Sequence, residues 1–164
     1  MPIVIGGKHF GQYTYEHWFD DDFESETERV IKARKGINPV GICGRHCDHC
    51  GLAQWCGGCR SNFNCCSFAA SFKDEICPNV KCTGNKDLRG CYECCELADC
   101  ETGYYAKNDE YTAKAAALFI KKHGEECYSK TLKQAVGAGE EYPKTFDSAG
   151  SVDGALKILE KYIE

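Results

Sequence analysis

Cysteine supplies most of the chemistry this chain can do. Thirteen of its 14 cysteines fall between Cys43 and Cys100, in the runs Cys43-x3-Cys47-x2-Cys50, Cys56-x2-Cys59, Cys65-Cys66, Cys77-x4-Cys82 and Cys91-x2-Cys94-Cys95-x4-Cys100. A C-x2-C turn presents two sulfurs on one side of a tight loop, and two such turns complete a tetrahedron around zinc. Three of them in so short a stretch indicate bound metal. The expected ligands are Cys43, Cys47, Cys50, Cys56, Cys59, Cys77, Cys82, Cys91, Cys94 and Cys100. Ten thiolates suffice for two four-ligand zinc sites, and a third ion would draw on Cys65 or Cys66 and a histidine. A catalytic zinc needs an open position and a nearby acid or base, which the spacing does not identify, so the sites are expected to be closed and structural.

Other uses of the thiols carry less weight. Cys43-x3-Cys47-x2-Cys50 has the spacing by which radical S-adenosylmethionine enzymes hold an iron–sulfur cluster, but those enzymes follow it with alternating strands and helices, whereas here more cysteines follow. An iron–sulfur centre or a thiol-redox role remains the alternative. A redox C-x2-C normally stands where a strand of a βαβ unit meets a helix, and no such unit is visible. The opening MPIVIGGKHFGQYTYEHW has no basic n-region and no long apolar stretch, so no secretory signal is expected and the cysteines are assigned to a reducing cytoplasm, where disulfides are rare.

His46 and His49 sit inside the first cysteine group. A histidine between ligands more often faces solvent or supports a ligand than replaces a thiolate. Consecutive side chains diverge, so one member each of Cys65-Cys66 and Cys94-Cys95 is expected to stand off the ion. Cys127 lies apart on a helical pattern and reads as a small buried hydrophobe. Asp20 to Asp22 read as a solvated face before a helix. No G-x-S-x-G, P-loop or H-E-x-x-H is present, which argues against an enzyme.

The apolar fraction of 43% includes cysteine, and without it about a third of the chain remains to build a core. Between Cys43 and Cys100 the bulky aliphatics are few: Leu52, Ile76, Val80, Leu88 and Leu97. Metal can replace that core, since zinc in small thiolate sites contributes on the order of 10–16 kcal/mol. The net charge is −5, and the same segment carries six basic residues against seven acidic ones, which argues against a nucleic-acid partner. No run is long enough to span a bilayer.

These sites need a scaffold, and three regions follow: an N-terminal arm and helix over 1–36, a metal-binding centre over 37–105, and a helical region over 106–164. Alternation between Phe10 and His17 predicts short strands or an extended arm. Ser25-Glu26-Thr27-Glu28 fits a capping box for a helix to about Lys35, stopped by Gly36. From Ile42 to Gly103 turn residues dominate, apart from a short helix over Ser67 to Asp74. Asp109 is expected to cap a helix carrying Ala113, Ala116, Ala117 and Ile120 and ended by Gly124. A second runs from about Glu126 to Val136. Ser151 caps a last one whose Val152, Ala155, Leu156, Leu159, Tyr162 and Ile163 recur at helical steps. The expected fold is thus a small α-rich, metal-stabilised protein, with a Cys-rich loop centre around zinc and helices at both ends.

From about Glu28 to His123 the chain resembles a family of small, functionally uncharacterised prokaryotic Cys-rich proteins. The likeness rests on Cys43-Gly44-Arg45-His46-Cys47-Asp48-His49-Cys50, Gly58-Cys59-Arg60, Cys77 to Cys82, and Cys91-Tyr92-Glu93-Cys94 with Cys100. Asp99 stands where that family has Pro, and Cys65, Cys66 and Cys95 are additional. The resemblance implies zinc binding and brings no established activity. Together these observations point to a zinc-stabilised module that meets a protein partner through aromatics such as Trp18, Phe19, Trp55 or Tyr92.

Overall fold

The computed structural model describes residues 4–5, 8–9, 32, 34–51, 53, 56–61, 66–73 and 77–164. The expected strands between Phe10 and His17, the capping box at Ser25 to Glu28, Asp20 to Asp22, Leu52, Cys65 and Ile76 lie outside these residues. So do Trp18, Phe19 and Trp55. Two short strands, β1 (Val4–Ile5) and β2 (Lys8–His9), form an antiparallel hairpin with Val4 opposite His9. Lys32 and Arg34 are helical, and the chain turns at Lys35 and Gly36, whose φ of 78° suits glycine alone.

The remainder is helix-rich. Among the described residues five α-helices follow in order: α1 (Pro78–Asn85), α2 (Thr112–His123), α3 (Glu125–Gly137), α4 (Lys144–Asp147) and α5 (Val152–Glu160). Helix α1 stands where only turns were expected. Pro78 suits its first turn, but its buried positions are Asn79 and Thr83, so it lacks the apolar period that marks a helix.

Helix α2 is central. It packs against α3 and α5 on one side and against the turns Cys91–Glu93, Leu97–Asp99 and Gly103–Ala106 on the other. Ala113, Ala115, Ala116 and Ala117 are buried along it, and these short side chains let neighbouring backbone approach closely. Bulk comes from Phe119, Tyr128, Leu132, Phe146 and Leu159, each at most 2% exposed. Burying such a side chain is worth about 1.5–3 kcal/mol. Buried Val40, Cys43, Cys77, Cys91, Leu97 and Tyr104 belong to the same continuous core, so the cysteine loops and the helices share one interior.

The helix ends correct one expectation and satisfy two. Asp109 does not cap α2; Asp147, from α4, does so across the fold. Its Oδ1 accepts from the Tyr111 and Thr112 amides, both at 2.9 Å, and from Thr112 Oγ1 at 2.7 Å. Gly124 ends α2 with φ 86°, and Ser151 Oγ accepts from Gly154 N at 2.9 Å to cap α5.

Candidate metal centres

Two of the three C-x2-C motifs are each one short 3₁₀ turn that begins at the first cysteine and is closed by the second, whereas Cys56 to Cys59 form no helical turn. Over Cys47–His49 the Cys50 amide donates to Cys47 O at 3.2 Å, and over Cys91–Glu93 the Cys94 amide donates to Cys91 O at 3.0 Å. The turn Leu97–Asp99 ends the same way at Cys100. Backbone bonds hold the loops together: Cys47 N donates to Pro39 O at 2.7 Å, and Cys91 N donates to Ile42 O at 2.8 Å. The second bond ties the two cysteine-rich loops to each other.

The thiols divide into two groups. Cys43, Cys47, Cys50, Cys56, Cys59 and Cys66 line one small cavity of about 50 Å³, with Arg34, Arg45 and His46 also in its wall. Cys82, Cys91, Cys94, Cys95 and Cys100 line a separate open cleft of about 460 Å³ beside α1. Cys77, buried at the head of α1, lies in neither group but adds to the upward shift of the Cys59, Cys66 and Cys91 thiols. Among the described residues no disulfide joins these cysteines.

Hydrogen-bond donors are aimed at sulfur in both groups. Ile42 N reaches Cys59 Sγ and Ser67 N reaches Cys56 Sγ, each at 3.2 Å. In the cleft, Asn79 Nδ2 stands 3.6 Å from Cys91 Sγ, and Lys86 Nζ stands 3.6 Å from Cys94 Sγ while pairing with Glu96. Donors to sulfur favour the thiolate.

Burial acts the other way. It pushes the Cys43, Cys59 and Cys66 thiols up, and Cys47 up to about 12, with neighbouring cysteines adding to the effect. These groups are neutral at pH 7 unless a cation holds them as thiolates. Three nitrogens on the first cavity, Arg34 Nε, Arg45 Nε and His46 Nδ1, are buried without a hydrogen-bond partner. The rest of the Arg45 head pairs with Glu110 at 3.1 Å and lies over Phe68 and Tyr104. Two guanidinium groups beside six thiols offset the negative charge that a zinc–thiolate centre would carry.

The donor chemistry therefore fits a thiophilic metal. The geometry is gathered but not closed: among the described residues no three Cys, His, Asp or Glu side chains converge as a metal-holding group. Holding zinc would require side-chain rotations that bring four donors around one point, with sulfur at about 2.3 Å.

Of the ten expected ligands, Cys43, Cys47, Cys50, Cys56 and Cys59 meet in the first cavity and Cys82, Cys91, Cys94 and Cys100 in the cleft. Cys77 lies in neither wall. Cys66 joins the first group, Cys95 is exposed at the cleft, and His49 lies 5.0 Å from the His46 ring, outside the cavity wall. Cys127 is partly buried against the core, as its pattern suggested. Tyr92 is not an exposed docking residue: it is 5% exposed, with its hydroxyl held by Arg60 and Glu125. Arg34, Arg45, Asn79 and Lys86 were not anticipated. The position of Arg45 between Cys43 and Cys47 was the one available signal.

The chain matches no family model, no curated protein and no solved structure among those compared. No helix among the described residues is long and apolar enough to cross a membrane.

Proposed function

We propose that this protein is a zinc-binding module with two structural thiolate centres, one in the six-thiol cavity and one in the cleft beside α1. The observation that carries this reading is the division of eleven thiols into two groups, each larger than a tetrahedral ion needs. Donors aimed at sulfur and the paired guanidinium groups support it. Burial that would otherwise suppress thiolates supports a cation as their counterpart. Zinc in these centres fixes the loops on α2, and the finished surface meets a protein partner in the cytoplasm. The likeness of the cysteine spacing to the uncharacterised prokaryotic family agrees with this role.

Timed alkylation read by mass spectrometry tests it. With zinc bound, the thiols of both groups other than Cys95 should resist the reagent while exposed Cys95 reacts, and a chelator should release them group by group. Equal reaction rates with and without zinc in folded protein would refute the reading.

A further inference from the structure

We propose that His46 ligates the metal of the first cavity through Nδ1, making that centre a mixed nitrogen–sulfur site and leaving the cleft all-thiolate. This rests on the zinc reading above and assigns a ligand within it. Three independent features carry the assignment. His46 is 3% exposed, it belongs to the wall that the six thiols share, and Nδ1 is buried with no hydrogen-bond partner. A buried imidazole nitrogen left unpaired costs free energy, which a bound ion on that nitrogen removes.

The opposite ring nitrogen is already occupied. Nε2 lies 3.1 Å from Ser129 Oγ on α3, the arrangement in which one imidazole nitrogen is anchored by a neighbour and the other is presented to metal. The ring itself cannot swing freely. The His46 amide donates to Tyr142 Oη at 2.8 Å, His46 bridges Val40 as an isolated β pair, and the Tyr128 ring lies 5.9 Å away. α3 thereby reaches the metal centre through one hydroxyl, a link between the helical region and the cysteine loops.

A water is the competing occupant. A cavity of about 50 Å³ admits one, with Arg34 Nε, Arg45 Nε and His46 Nδ1 as its polar partners, and an imidazole signature at the zinc edge separates a metal on Nδ1 from a water there. Sulfur with one imidazole suits zinc. His49 is not equivalent, because it is not part of the wall.

Zinc-edge X-ray absorption on the full chain decides the matter. The expected spectrum has sulfur near ~2.3 Å, a minor nitrogen contribution near ~2.0 Å and the outer-shell pattern of imidazole. His46→Cys should keep the zinc and lose the imidazole pattern, while His49→Ala should leave it unchanged. A zinc-loaded wild-type protein with a purely sulfur shell would overturn the assignment and leave the two-centre reading intact. An imidazole pattern that persists in His46→Cys, or vanishes in His49→Ala, would overturn it equally. If His46→Cys does not fold, the wild-type and His49→Ala spectra still decide. Folded protein that binds no zinc would remove both the assignment and the reading beneath it.

Discussion

Gly44 lies against Ala117 so closely that a Cβ at Gly44 would stand 2.7 Å from the Ala117 amide nitrogen and 2.8 Å from Ala113 O. Gly44 also has φ 99°, outside the range that other residues adopt comfortably. The loop that carries Cys43 and Cys47 is therefore pressed onto the backbone of α2, and the alanines of that helix make the approach feasible. Gly44→Ala adds a steric overlap to an unfavourable backbone, each worth about 1–3 kcal/mol. Urea unfolding should show a loss of about 2–6 kcal/mol, and a loss within error of zero would contradict this packing.

Asn79 does for the second group what Gly44 does for the first. It is fully buried, accepts from Tyr104 N at 3.0 Å and donates to Thr102 O at 3.1 Å, with Cys91 Sγ at 3.6 Å. Asn79→Ala leaves the buried Tyr104 N–H unpaired, at about 1–3 kcal/mol, while Thr102 O keeps its bond from the Tyr105 amide. Thermal unfolding should register that loss, and metal release from the cleft should quicken. Asn79→Asp keeps the acceptor for Tyr104 and should be the milder change in the backbone term but places a negative charge beside Cys91, so zinc release should quicken still more.

How much of this was legible in the sequence depends on distance along the chain. Helices α2, α3 and α5 announced themselves because apolar residues recur at helical steps and Gly124 and Ser151 sit at their ends. Helix α1 did not, because Asn79 and Thr83 fill its buried positions and polar burial leaves no hydrophobic period. The Asp147 cap was hidden for another reason: it acts on Thr112 from 35 residues away. The same limit applied to the thiols. Local spacing identified the pairs Cys47/Cys50 and Cys91/Cys94, but which pairs share a cavity is set by the loops' contacts with α2 and with each other, such as Cys91 N to Ile42 O.

Alkaline stability follows from the buried tyrosines. Burial, with a further contribution from Tyr142, pushes the Tyr128 phenol well above its ordinary value of 10. In the unfolded chain the phenol loses its proton near pH ~10, while in the fold it cannot, so above that pH the unfolded state binds fewer protons. Stability from this group is complete below pH ~10 and falls as pH rises. Tyr128→Phe should flatten the decline measured by urea midpoints between pH 9 and 11, roughly the range that spans the unfolded phenol. An unchanged slope would contradict the burial argument.

Metal content per chain, compared across paired cysteine substitutions, tests the two-centre account most directly. Full-length protein prepared without added metal should carry two or more zinc ions as determined by elemental analysis, about one for every four thiolates engaged. Cys47→Ser with Cys50→Ser should remove only the zinc of the first cavity, and Cys91→Ser with Cys94→Ser only that of the cleft. Folded wild-type protein with less than about one metal per chain, or a loss of all metal from either double substitution while the fold persists, would contradict two independent centres.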